Sequence, residues 1–158
     1  KGEPIETIYL GGGTPSQLAK EDFEAIFSHI YKVYKVTPNA EITLEANPDD
    51  LTSEYISMLR TFPFNRISMG IQTFQETTLK QLQRRHTADQ AIRAFQGCRT
   101  AGFQNISIDL MYGLPGETLT SWKKDLNKPF PYTRNIFPLI ILFMRKELPC
   151  GNSANNIK

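Results

Sequence analysis

Four short apolar runs punctuate the chain: Thr7 to Leu10, Glu41 to Ala46, Arg66 to Ile71 and Asn105 to Leu110. They are partly β-branched, the character of strands buried in a parallel sheet. Between the first two, Phe23, Ile26, Phe27, Ile30, Tyr31 and Tyr34 recur at helical spacing and predict a crossover helix with one apolar stripe. Leu51 to Phe62 predicts a second helix, with Thr52 as its N-cap and Pro63 as its stop. Thr73 with Glu76, and Thr87 with Gln90, have capping-box spacing. Thr73 to Ala101 therefore predicts two helices broken near Arg85, the second ended by Gly102.

Alternating strands and helices with right-handed crossovers make a parallel α/β layer, as in an open doubly wound sheet or a (β/α) barrel. The residues that follow the runs favour the barrel. Gly11, Gly12, Gly13 and Thr14 follow the first, Glu45 and Asn47 close the second, Gln72 follows the third and Asp109 lies near the end of the fourth. Folds of this class place their chemistry on the rim made by the C-terminal ends of the strands. A complete barrel takes about 250 residues and eight strands. The prediction is a partial (β/α) TIM-like barrel of about four βα units over residues 1–128.

Each rim residue has two readings. The triple glycine is either a tight strand-to-helix turn or a backbone cradle for a polar or charged ligand; it lacks both the Gly-Lys-Ser/Thr ending and the G-x-G-x-x-G pattern of nucleotide sites. Glu45 interrupts an apolar strand, and a buried carboxylate needs partners. It either caps the turn at Asn47 to Asp50 or accepts hydrogen bonds from a ligand. Gln72 is either a helix-entry contact or a ligand contact, and Asp109 either pairs with a neighbouring amide or faces the ligand. Arg84, Arg85 and His86 form a basic knot between two helices. It is either a solvated junction or a carboxylate clamp through Arg85, since guanidinium grips carboxylates with two parallel bonds.

Composition narrows the partners. The chain has 158 residues, 40% of them hydrophobic and 22% charged, which suits one globular core. Its net charge of +2 belongs to the end of the chain: residues 1–128 carry 14 Lys and Arg against 15 Asp and Glu, and residues 129–158 carry 4 against 1. No basic cluster interleaves with aromatics, so no nucleic-acid partner is expected. The apolar stretch Ile136 to Met144 contains Pro138 and is about half the length of a membrane helix, so no membrane span is expected. The first residues have no signal layout, which makes a cytoplasmic location the default. Two cysteines, Cys98 and Cys150, cannot supply a closed zinc site or the usual ligands of an iron–sulfur cluster.

Five motifs in order carry a family resemblance: Gly11-Gly12-Gly13-Thr14-Pro15-Ser16, Leu44-Glu45-Ala46-Asn47-Pro48-Asp49, Arg66 to Phe74, Arg84-Arg85-His86-Thr87, and Asp109 to Gly116. Together they resemble the radical S-adenosylmethionine (SAM) family of oxygen-independent coproporphyrinogen III oxidases, and Arg-Arg-His-Thr looks more like its heme-chaperone branch. The resemblance covers Ile5 to Leu126. It implies a truncated radical SAM core of porphyrin and heme biosynthesis, with a [4Fe-4S] cluster and S-adenosylmethionine as the family's cofactors and a tetrapyrrole as its small-molecule partner. It implies that Gly12, Gly13 and Thr14 line the methionine end of the cofactor, that Glu45 accepts hydrogen bonds from it, that Gln72 and Arg85 hold its polar groups, that Asp109 contributes from the next strand, and that Gly113 borders the adenine.

The departures are as informative. Family members carry Cys-x3-Cys-x2-Cys one strand earlier, and this sequence has no such trio, so the chain alone is expected to lack the cluster and the radical chemistry. After Lys128 the family continues with a strand resembling HISAYxLxxExGT. Here Asn135 to Gly151 can be written in permitted codons that read HISAYHLIYEKGTALW in the neighbouring frame, so the resemblance implies a frame-shifted tail, Pro129 to Lys158, without a selected fold. Two alternatives to an enzyme-family piece stand beside it: a heme or tetrapyrrole carrier, and a non-functional product prone to aggregate through its open sheet edges.

Overall fold

The computed structural model describes residues 2–128 and the backbone of residues 139–144. Five strands, β1 (Ile5–Leu10), β2 (Val36–Ala46), β3 (Arg66–Gln72), β4 (Asn105–Tyr112) and β5 (Leu139–Met144), form one sheet in sequence order, every pair parallel. Helix α1 (Lys20–Val33) crosses from β1 to β2 and α2 (Ser53–Leu59) from β2 to β3. Helices α3 (Glu76–Gln81) and α4 (Ala88–Thr100) precede β4, and α5 (Leu119–Leu126) follows it. The four expected strands and the helices between them are present, and the expected partial barrel is the observed architecture.

Alternation along the strands separates two faces. Ile42, Leu44 and Ala46 of β2, Ile67, Met69 and Ile71 of β3, and Ile106, Ile108 and Leu110 of β4 are buried in one core with Phe23, Phe27, Leu59, Ala91, Phe95 and Cys98 of the helices. The intervening positions are polar: Thr43 and Glu45, Arg66 and Ser68, Ser107 and Asp109. A parallel sheet normally hides both faces behind apolar side chains. Here the second face is polar, and it leads to the rim.

Three local expectations change. Strand β2 begins at Val36 because Val36 pairs with Ile5 and the Ile5 amide donates to Lys35 O at 2.8 Å. Thr73 does not cap α3; Gln75 occupies the N-cap position, without a side-chain capping bond. The Thr73 hydroxyl instead donates to the buried Asp125 of α5 at 2.5 Å and accepts the Gln75 amide at 3.1 Å. The tail expected to have no fold contributes β5, whose residues pair with Ser107 to Tyr112 of β4. A run of Leu, Ile, Ile, Leu, Phe and Met has the composition of a buried strand in any context. The rest of the proposed frame-shifted segment lies outside the described residues.

Thr52 caps α2, accepting the Tyr55 amide at 3.2 Å. Thr87 and Gln90 form a reciprocal capping box on α4. Gly102, with φ +97°, ends that helix as expected, the Phe103 amide reaching back to Cys98 O and the Gly102 amide to Arg99 O.

Candidate functional site

The glycine loop after β1 is closed onto β2 by a carboxylate. Glu45 accepts the Tyr9 hydroxyl at 2.6 Å on one oxygen and the Gly12 amide at 3.0 Å on the other. Burial, and then Glu45 itself, push the Tyr9 phenol up to about 12, so at neutral pH Tyr9 donates. Gly12 and Gly13 have φ of +78° and +61°, a conformation that costs other residues about 1–2 kcal/mol. Their substitution is limited by backbone, since a Cβ at either would meet nothing within 4 Å.

Beyond the loop, Ser16 is buried in the turn Pro15–Gln17; it donates to Asp50 at 2.6 Å and accepts the Asn47 amide at 3.2 Å. This fixes the two rim turns against each other. Asn47 Oδ1 accepts from Arg84 Nη2 at 3.0 Å, and the same nitrogen donates to Gly70 O at 2.7 Å. Gly70 leaves room for this crossing: a Cβ there would lie 3.0 Å from Gln72 Nε2 and 3.2 Å from Arg84 Nη2. Gln72 ends β3 with φ +73°, rare for a residue with a side chain.

These groups enclose a cavity of about 240 Å³. Gly13, Thr14, Glu45, Gln72 and Asp109 line it, as the sequence predicts, joined by Ser16, Asn47, Ser68, Gly70 and Arg84. Gly12 borders the adjoining hollow beside α1 and serves the site by holding Glu45. Two predicted residues lie elsewhere. Gly113, with φ +75°, sits in the turn after β4 with its amide donating to Glu117 at 2.6 Å. Arg85 faces away from the cavity, 58% exposed, 2.7 Å from Asp49 and 3.0 Å from Asp50.

The exchange of Arg84 for Arg85 has a backbone cause. Helix α3 ends in a Schellman turn with Gln83 at φ +54°, the Arg84 amide bonding Leu79 O and the Gln83 amide bonding Lys80 O. The chain leaves that turn with Arg84 aimed over Gly70 and Arg85 at the acidic pair.

His86, next along, is buried, with Nε2 3.2 Å from Ile71 O and Nδ1 3.7 Å from Asp49. Burial holds its pKa below the ordinary 6.5, against the opposing pull of Ile71 O and Asp49. The unfolded chain therefore takes up a proton that the folded chain resists. His86 contributes stability that is present above 6.5 and lost as pH falls through the lower folded value. Urea unfolding across that window is expected to show stability falling with acid in the native chain, and a flatter dependence in His86→Gln.

The cavity presents two carboxylates, one guanidinium, two amides and bare main chain. That set suits a polar ligand that offers donors to the carboxylates and an acceptor to the guanidinium. It does not suit an iron–sulfur cluster. Among the described residues no three His, Cys, Asp or Glu are grouped to hold a metal ion. Cys98 is buried on α4 and its thiol is pushed up to about 12 by that burial.

A parallel partial barrel with a polar cavity at the C-terminal ends of its strands defines the class, and comparison with known proteins agrees. Residues 1–128 match the radical SAM superfamily model, and the chain belongs to that superfamily. It is 43% identical over 126 residues to the heme chaperone HemW of Lactococcus lactis, covering 80% of this chain and 33% of that protein. It is 35% identical over 125 residues to the oxygen-independent coproporphyrinogen III oxidase of Synechocystis, covering 79% and 27%. Among solved structures, the coproporphyrinogen III oxidase HemN of Escherichia coli, described as a radical SAM enzyme, superposes with a TM-score of 0.79 at 27% identity, over 92% of this chain and 33% of that one. The archaeal Elp3 of Methanocaldococcus infernus, at 20% identity and TM-score 0.71, shares the fold. The chain thus spans between about a quarter and a third of the length of these curated relatives. Among the described residues, no helix is long and apolar enough to cross a membrane.

Proposed function

We infer that the rim cavity binds S-adenosylmethionine, and that this chain supplies the cofactor-binding part of a radical SAM protein acting on or carrying a tetrapyrrole. The observation that carries this reading is the convergence of polar groups from the glycine loop after β1, from β2, β3 and β4, and from the α3–α4 turn on one cavity. Gly13 and Thr14 offer main chain to the amino-acid end. Glu45 and Asp109 accept from ammonium and hydroxyl groups, Arg84 meets the carboxylate, and Asn47 and Gln72 complete the polar lining. Gly12 acts through Glu45. The radical step requires the family's [4Fe-4S] cluster, and no step through it is assigned to this chain.

The identities to heme chaperones support a carrier as the second reading. His86 does not supply its heme ligand, because the imidazole is buried against Ile71 O. The strand edges of β1 and β5 have no partner strand among the described residues, which favours self-association of the chain when alone.

Calorimetric titration with S-adenosylmethionine tests the assignment. Glu45→Ala and Arg84→Ala are each expected to weaken binding by about tenfold, the scale of one charge-assisted hydrogen bond. Arg85→Ala, which loses only an exposed ion pair, is expected to bind within about threefold of the native chain. Equal affinities for all four proteins would overturn the reading.

A further inference from the structure

The polar face of the sheet holds a continuous hydrogen-bonded chain that ends at the cavity. Arg66 opens β3 at the far end from the rim. Its Nη1 donates to Thr43 Oγ1 at 3.3 Å, its Nη2 donates to Ser107 Oγ at 3.0 Å, and its Nε lies 4.0 Å from Glu41. The Ser107 hydroxyl donates to Ser68 Oγ at 3.1 Å. The Ser68 hydroxyl donates to Asp109 at 3.3 Å and 3.5 Å on its two oxygens. Strand register brings these groups together, since Ser68 pairs with Ser107 and Arg66 with Asn105.

Direction in this chain is forced. Guanidinium can only donate and an ionised carboxylate can only accept, so each intervening hydroxyl must spend its single proton toward Asp109. Ser68 and Ser107 are 2% and 0% exposed, so water cannot reorient them freely. A buried polar chain of this kind polarises along its length.

We propose that Arg66 is a positioning residue for the cavity, holding Asp109 as an aimed, ionised acceptor through Ser107 and Ser68 without touching the ligand. The proposal deepens the S-adenosylmethionine reading, since Asp109 is the group it would present to that ligand. Asp109 needs such support. Its burial, and then the Glu45 carboxylate across the cavity, raise its pKa, while Ser68 and Arg66 oppose them. Tyr9 from β1 faces the same carboxylates and Arg84 lines the same cavity. The sequence of β5 brings no titratable group.

The test is a ¹³C titration of the Asp109 carboxyl in the full chain, its signal assigned with Asp109→Asn. Arg66→Met and Ser107→Ala are each expected to move the midpoint upward by about 0.5 or more, and Arg66→Lys by less. Ser107→Ala removes one hydroxyl and guards against misfolding of the arginine variant. Thr43→Val removes the Arg66 partner that lies off the route and is expected to leave the midpoint unchanged. An Asp109 midpoint that stays put in both Arg66→Met and Ser107→Ala would overturn the proposal. S-adenosylmethionine titrations run beside it separate the two claims: a shifted midpoint in a chain that binds no cofactor supports the relay and refutes the ligand.

Discussion

Phe23→Ala is expected to cost about 3–5 kcal/mol of folding stability, the range for truncating a fully buried aromatic ring. Phe23 is the first inward residue of α1 and is 0% exposed. Its ring centroid lies 5.3 Å from that of Phe62 and 5.3 Å from that of Phe64, and Phe27 of the next turn lies 6.0 Å and 5.2 Å from the same two rings. Four rings thus fasten α1 to the segment between α2 and β3. Removing one takes apolar area from the core and leaves a cavity whose rigid aromatic walls cannot collapse. Domains are stable by only about 5–15 kcal/mol, so the loss is a large part of the total. Urea unfolding followed by circular dichroism measures it. Tyr31→Ala, at a site 48% exposed on the same helix, is the comparison, expected to move stability by no more than about 1 kcal/mol. Similar midpoints for the two variants would mean that the ring cluster does not hold α1.

The same ring cluster shows why the fold was legible in the sequence. The spacing of Phe23, Ile26, Phe27 and Ile30 could bury one stripe only as a helix, and the four apolar runs could satisfy their backbones only by pairing. Rim residues were legible where an unlike residue broke such a run, as Glu45 and Asp109 do, or followed one directly, as Gln72 does. Arg84 escaped because its direction depends on a left-handed residue at Gln83, and glutamine carries no sign of that conformation. Gly113 lies off the lining of the cavity, which its sequence context does not reveal. Its positive φ serves a turn closed by Glu117, and a glycine in a loop looks alike whether it admits a ligand or turns a chain. Arg66, Ser68 and Ser107 interrupt runs that a parallel sheet usually keeps apolar, but the sequence does not say which strands are neighbours. Only strand register shows that they bond to one another.

Gly11→Ala is expected to lower S-adenosylmethionine affinity by at least about tenfold while leaving the chain folded, a loss near 1.4 kcal/mol in binding. Gly11 differs from its two neighbours in having no positive φ, so alanine is compatible with its backbone. Space is the obstacle. A Cβ at this position would lie 2.5 Å from Tyr9 Cε1, 2.8 Å from Glu45 Cδ and 2.9 Å from Glu45 Oε2. The Tyr9 ring is 56% exposed and can swing outward, but Glu45 must leave the position in which it accepts both the Tyr9 hydroxyl and the Gly12 amide. The glycine loop then loses its tie to β2, and the cavity loses a placed carboxylate. Gly12→Ala strains the backbone at φ +78° instead, so its cost should fall on thermal stability as well as on binding. Calorimetry and thermal melts on both variants separate the two effects. In a Glu45→Ala background, Gly11→Ala should add almost nothing, because the group it displaces is already gone. A full additional tenfold loss in that background would show that Gly11 serves the ligand directly and not through Glu45.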